Sequence, residues 1–155
     1  MDRLHEPIVD LARSTLSGQT GNVLDLGCGN GMLLSKVCDG TRVIPFGVDT
    51  SKRAIEHART ILPAFSSNFV ESDLLAFGSW NGRPYVLSLL MLGRLKEIGK
   101  TNAARLIAEL KSKSKEVIVY LYPDWRDQKL GEMADELGVR VSELADQNVG
   151  LLLFS

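Results

Sequence analysis

The sequence predicts a three-layer α/β sandwich: a seven-stranded, mostly parallel sheet with helices on both faces and an antiparallel C-terminal hairpin strand. Three observations predict it. Strand-like apolar runs and amphipathic helical stripes alternate along the chain, which is the pattern of βα units. The run "YVLSLLML" (85–92) is apolar without alternation, as a strand covered by helices on both faces must be. Finally, only "ADQN" separates the last two strand-like runs, too few residues for the crossover that joins a parallel pair.

Residues 1–155 fit one domain, because a chain of that length buries roughly 70% of its unfolded surface and supplies its own core. Ile8, Leu11, Ala12 and Leu16 form one stripe of a first helix within residues 1–20, and "SGQTGN" ends it with turn formers. The core, residues 21–155, begins with the strand "NVLDLG". Asn30 caps the next helix, with Leu33, Leu34 and Val37 inward, and the "DGT" turn leads to the second strand "VIPFGVD". Thr50 or Ser51 caps a third helix through Ala54, Ile55, Ala58, Ile61 and Leu62, with Pro63 as its stop. "NFVESD" is the third strand, the apolar run 85–92 the fourth, and "TNAARLIAELKSK" the helix after it. "EVIVYLY" is the fifth strand, ended by Pro123. Leu130, Met133, Ala134 and Leu137 mark a further helix closed by Gly138, before the hairpin of "VRVSEL" and "VGLLLF".

Composition excludes several classes of partner. With 18 basic and 19 acidic residues the net charge is −1, so no overall field draws the chain to nucleic acid, an anionic membrane or a polyanion. Cys28 and Cys38 make no CxxC pair and have no ligand cluster at metal spacing, so they read as reduced core thiols and no metal is expected. The N-terminal "MDRLHEPIVDLARSTL" carries charges where a secretory segment is apolar, and no run is long enough to span a bilayer, so a cytoplasmic location is expected.

The chemistry concentrates where the first strand turns into a helix. In "DLGCGNGM", Gly27, Gly29 and Gly31 allow a tight turn and a close approach of backbone to ligand. A dinucleotide fingerprint requires its third small residue at position 32, which is Met32, so the NAD reading is weakened. No Gly-Lys-Ser/Thr follows, which excludes a P-loop. Asp49 ends the second strand, where a carboxylate can accept from both ribose hydroxyls, and Asp73 ends the third on the same rim. Together they describe a pocket for a ribonucleoside with a polar base edge and a charged tail.

These motifs resemble those of the class I, Rossmann-like S-adenosylmethionine-dependent methyltransferases, over nearly the whole chain. The resemblance implies S-adenosylmethionine as cofactor and S-adenosylhomocysteine as product. It implies that the backbone at Gly27 and Gly29, with Cys28 packed between them, contacts the methionine part, while Asp25 supports its ammonium. Asp49, with Thr50 beside it, matches the ribose-binding acid. Asp73, between Ser72 and Leu74, matches the acid that accepts from the adenine amino group, and Leu74 follows along the ring. Ser88 and Leu89 match the stretch of the fourth strand that passes the sulfonium. Two departures are visible: Pro84 replaces a frequent Asp, and "KSKSKE" replaces a frequent Pro-Gly-Gly turn. The Asn/Asp-Pro-Pro-Tyr/Phe motif of base and glutamine methylation is absent, with "SLLM" in that region.

Methyl transfer from a sulfonium is an in-line displacement served mostly by alignment and desolvation. An O, N or acidic C acceptor also needs a base on the rim. His5 and Asp124 are the candidates for that base, although His5 also suits a packed helix-end histidine and "YPDW" is ordinary turn chemistry. Tyr122, Trp125 and Arg94 are the candidates for binding substrate, with Arg94 able to hold a carboxylate or to remain solvated. His57 lies opposite the apolar stripe of its helix, and Lys111, Lys113 and Lys115 are favoured by the helix dipole alone. Little material is available for a lid. An open site suits a protein, peptide or RNA acceptor, or a homodimer or partner subunit that completes it. A small molecule or natural product held by the N-terminal helix and the loop after Leu92 fits the lack of a basic surface better. Two other readings differ in class: a catalytically silent subunit acting with a partner chain, and an NAD-dependent oxidoreductase, the latter lacking a Tyr-x-x-x-Lys pattern.

Overall fold

The structure, a computed structural model of the chain, describes residues 2–120, 140–144 and 149–154. The expected helix through Leu130 and Leu137 and the connection 145–148 lie outside them. Helix α1 (Asp2–Leu16) precedes β1 (Gly21–Leu26), α2 (Met32–Cys38), β2 (Val43–Asp49), α3 (Lys52–Ile61) and β3 (Phe69–Glu71). Then come β4 (Tyr85–Met91), α4 (Leu92–Ile98), α5 (Lys100–Lys113), β5 (Ser114–Tyr120), β6 (Arg140–Leu144) and β7 (Val149–Phe154). The strand order is β3-β2-β1-β4-β5-β7-β6. Parallel pairing joins five strands, β1 to β5, and β7 runs antiparallel to both β5 and β6.

Both faces of the parallel sheet are covered, which is why its strands read as apolar runs. On one face Ile8, Ala12 and Leu16 of α1, Leu33, Leu34 and Val37 of α2, and Ile55 and Ala58 of α3 bury Val23, Phe69, Leu87 and Ile118. On the other, Ala103, Leu106, Ile107 and Leu110 of α5 pack with Leu95 and Trp80 on Leu24, Leu26, Leu90 and Val119. The crossover from β3 to β4 carries no α-helix; a 3-10 turn at Phe77–Ser79 and Trp80 take its place. Trp80 is held from both ends: its Nε1 donates to the Leu74 carbonyl at 3.1 Å, and the Tyr85 hydroxyl donates to the Trp80 carbonyl.

Two local expectations change. The segment after Leu92, expected as a loop, is the seven-residue helix α4, anchored by buried Leu95 and followed by Gly99 at φ 84°. Asn30 does not occupy the cap position of α2. Gly31 does, in the left-handed region at φ 82°, and the Asn30 side chain accepts from Met32 N at 3.1 Å from one residue further out. Ser51 caps α3 as expected, accepting from Ala54 N at 3.2 Å. Among the described residues no helix is long and apolar enough to cross a membrane.

The order places the switch point between β1 and β4, because β2 and β3 are laid down on one side of β1 while β4 and β5 extend the other. Crevices at the carboxyl ends of strands form at such points, since successive connections leave the sheet toward opposite faces.

Candidate functional site

The loop after β1 occupies that crevice. Gly27 and Cys28 both donate to the Val48 carbonyl, at 2.7 and 3.0 Å, tying the loop across to β2. Gly27 and Gly29 have φ of 82° and 55°, backbone that side chains strain to adopt. A Cβ on Gly29 would meet nothing within 4 Å, so the loop leaves open space on that side. Gly31 has a different duty: a Cβ there would stand 3.1 Å from the Ala58 methyl and 3.3 Å from its Cα, so the third glycine lets α2 seat against α3.

A groove of about 150 Å³ opens on this loop, lined by Gly27, Asp49, Thr50, Asp73, Leu74 and three residues of α4: Arg94, Glu97 and Ile98. Strand ends from β1, β2 and β3 therefore meet α4 in one place. Asp49 is 4% exposed, and each of its carboxylate oxygens accepts a backbone N–H: Oδ2 from Gly29 at 2.9 Å and Oδ1 from Ser51 at 2.8 Å. Asp73 is exposed, its Oδ1 accepting from Leu75 N at 2.8 Å, and Ser72 N donates to the Asp49 carbonyl at 2.9 Å.

Asp25 is the exception among the acids. It is 1% exposed and its Oδ1 has no hydrogen-bond partner among the described residues. Burial pushes its carboxyl up to about 7, the charge of Asp49 adds to the rise, and Arg94 opposes it. Arg94 lies across the loop: a Cβ on Gly27 would be 3.3 Å from its Nε and 3.5 Å from its Cγ. Its Nη1 pairs with Glu97 Oε2 at 3.2 Å, while its Nε is buried without a partner among the described residues.

The remaining sequence-derived positions divide as follows. Cys28 packs downward rather than into the groove, close enough that a Cβ on Gly47 would be 2.7 Å from its Sγ. Burial drives its thiol far above the ordinary value, and that of Cys38 up to about 12, so neither is a nucleophile. Ser88 and Leu89 are fully buried and line no part of the groove. The register sets them beside Leu24 and Asp25, and Ser88 Oγ shares a 2.7 Å hydrogen bond with Ser114 Oγ. Arg94, expected as a substrate contact, stands in the same groove as Asp49 and Asp73. Glu97 and Ile98 carried no signal in the sequence, because their role depends on α4. Tyr122, Asp124 and Trp125 lie outside the described residues, as does the side chain of His5, whose backbone belongs to α1.

No family model matches the chain, and no curated protein matches its sequence. Solved structures do resemble it. The N-methyltransferase NodS from Bradyrhizobium japonicum is 18% identical over 99% of this chain and 98% of its own, with a TM-score of 0.73. A magnesium protoporphyrin IX methyltransferase from Synechocystis, solved with S-adenosylmethionine bound, is 19% identical over 96% of this chain and 78% of its own, with a TM-score of 0.67. A small RNA methyltransferase is 17% identical over 97% of this chain and 25% of its own, with a TM-score of 0.72. These likenesses show that the chain has the Rossmann-like fold of class I methyltransferases.

Proposed function

We propose that the groove binds S-adenosylmethionine and that the chain is a methyltransferase, EC 2.1.1.-, acting on an O, N or C acceptor of a small molecule or natural product. The observation that carries this reading is Asp25: a buried carboxylate oxygen without a partner among the described residues, beside a glycine loop with open space over Gly29. A cationic ammonium is the complement of such an oxygen, and a native fold rarely leaves one unpaired. The other residues fit the same ligand. Asp49 keeps lone pairs beyond the two it gives to Gly29 and Ser51, enough to accept from ribose hydroxyls. Asp73 and Leu74 supply an acceptor edge and an apolar face where the base would lie.

When bound, S-adenosylmethionine supplies an electrophilic methyl on a sulfonium. The chain's part is to align the acceptor with that methyl and to exclude water, which accounts for most of the acceleration in such displacements. A neutral acceptor loses a proton as the new bond forms, and His5 and Asp124 are the candidates to take it. The small-molecule acceptor is favoured by the net charge of −1, which supplies no field for RNA.

Calorimetric titration with S-adenosylmethionine, S-adenosylhomocysteine and NAD tests the reading. Binding of the first two and not of NAD is the expected result. Absence of binding by either adenosyl ligand would transfer the fold to a scaffold role beside a partner chain.

A further inference from the structure

We infer that the cavity over β2 beside Trp80 is a second ligand site, separate from the groove, for a small carboxylic acid with an apolar body of one or two rings. The cavity measures about 280 Å³ and shares no residue with the groove. It exists because the crossover from β3 to β4 carries no α-helix, so the flank of the sheet that such a helix covers is left to the turn at Phe77–Ser79 and Trp80. Phe46 and Val48, two apart on β2, face the same side, and the register sets Leu24 beside Phe46 and Val70 beside Val48. These four side chains form the floor. Ile44, two residues before Phe46 on that side, is 40% exposed, which marks how little covers the strand there.

The wall decides the chemistry of the ligand. Of the described residues that line the cavity, Arg83 is the one that carries a charge. Its guanidinium stands 4.2 Å from the centre of the Phe46 ring, and it has no hydrogen bond or ion pair among the described residues. The ring holds the cation in place and leaves its N–H donors without acceptors from the protein. Ser79, in the same wall, keeps a hydroxyl oxygen buried and unpaired among the described residues, a condition that native folds rarely tolerate. A site with one held cation, no acid and an apolar floor is the complement of a monoanion with an apolar body. A carboxylate suits it better than a phosphate: two oxygens match the guanidinium fork, whereas a dianion keeps a charge that nothing in the cavity offsets. A neutral ring gains the floor alone.

Size and shape limit the body. The volume stands close to the roughly 300 Å³ at which small-ligand pockets begin, so two fused rings are about the largest body it takes. The surroundings are aromatic and already in place: Phe46 and Tyr85 meet edge to face at 6.0 Å between ring centres, and the Tyr85 hydroxyl donates to the Trp80 carbonyl. Such rings favour another ring over a flexible chain. One hydrogen bond links this wall to the groove, from Trp80 Nε1 to the carbonyl of Leu74, and Leu74 lines the groove. The indole N–H of Trp80 is therefore a reporter that sits against the cavity and is itself buried.

The test uses naphthoate, two fused rings with one carboxylate, and naphthamide, its neutral counterpart. Each is titrated into the isotope-labelled full chain while the Trp80 indole N–H resonance is followed, assigned with Trp125→Phe, which leaves Trp80 as the sole tryptophan. Naphthoate should shift that resonance to saturation and bind roughly 10- to 100-fold more tightly than naphthamide, the range expected for hydrogen bonds to a charged group. Arg83 is exposed, so Arg83→Gln leaves the core intact, and in it the two probes should bind within about threefold of each other. Arg83→Lys, which keeps the charge and loses the planar fork, should restore part of the preference. Saturating S-adenosylhomocysteine should not displace naphthoate. The second site is overturned by an absence of saturation, by equal binding of acid and amide to the unaltered chain, by a preference that survives in Arg83→Gln, or by displacement with S-adenosylhomocysteine. A shift of the Trp80 resonance with protein concentration alone assigns this face to a second copy of the chain and overturns it as well.

Discussion

Asp25 and Asp49 stand on neighbouring strands, both almost wholly buried, and are kept in opposite condition. Asp49 is a clasp: one oxygen holds Gly29 N of the loop after β1, the other Ser51 N of the turn into α3. Its charge is offset by the two N–H dipoles it organises. Asp25 has no donor on its Oδ1 among the described residues, and its carboxyl is raised to about 7 by burial. The difference separates two uses of a buried acid on adjacent strands. Asp49 shapes the loop before any ligand arrives, whereas Asp25 waits for a donor from elsewhere and costs the fold stability until it comes.

The sharpest way to break this contrast is through pH. Asp25 ionises near 3.8 when unfolded and near 7 when folded, so between those values the folded chain holds the extra proton. Stability from this group is therefore greatest in acid and is lost as pH rises toward 7. Between about pH 5 and pH 8 the loss should be on the order of 3 kcal/mol. Asp25→Asn carries no such titration. Urea unfolding of both proteins at the two pH values should show the variant gaining on the unaltered chain by that amount, and parallel profiles would mean that Asp25 is already paired. The same titration gives ligand binding the opposite slope: an ammonium needs the ionised carboxylate, so affinity for S-adenosylhomocysteine should rise through about pH 7.

Asp49 sharpens the other half. Asp49→Ala leaves the N–H groups of Gly29 and Ser51 without their acceptors, which should cost about 2–3 kcal/mol of stability before any ligand is added. A further loss of about 1–3 kcal/mol in cofactor affinity is expected from the ribose contacts. An unchanged melting temperature with weakened binding would make Asp49 a ligand residue alone and erase the contrast with Asp25.

How much of this was legible in the sequence follows from what is local. The second strand is delimited by the "DGT" turn and the Ser51 cap, and β2 spans Val43–Asp49 as the pattern predicts. The glycine loop and Asp49 were legible for the same reason, since each stands at the end of a strand whose limits are local; the third strand was read through Asp73, whereas β3 ends at Glu71 and Asp73 lies two residues beyond it. Register was not. The run from Tyr85 to Leu92 has no alternation from which pairing partners could be read; the resemblance pointed to Ser88 and Leu89, and pairing sets them beside Leu24 and Asp25, all four buried. Helix α4 was hidden because "LGRLKEI" contains Gly93 and little apolar periodicity; Leu95 and the packing on α5 hold it, and both are tertiary. With α4 unseen, the reach of Arg94 over Gly27 could not be read. The state of Asp25 was equally hidden, because an orphaned oxygen is a property of its surroundings and leaves no mark in the residue letters.

The smallest expected effect separates the Asp49 clasp from the helix it touches. Ser51 takes part in two bonds: its backbone N–H donates to Asp49 Oδ1, and its hydroxyl caps α3 by accepting from Ala54 N. Ser51→Ala removes the second and keeps the first. The cap lies at an exposed position, so the cost should fall at the low end of the range for such changes, about 0.5–1 kcal/mol, or about 1–4 °C in melting temperature for a chain of this size. Cofactor affinity should not move, because Asp49 still holds both loops. If affinity falls together with the melting temperature, the placement of α3 shapes the groove and the carboxylate merely follows it; if only the melting temperature falls, the shape of the groove resides in the two backbone bonds to Asp49.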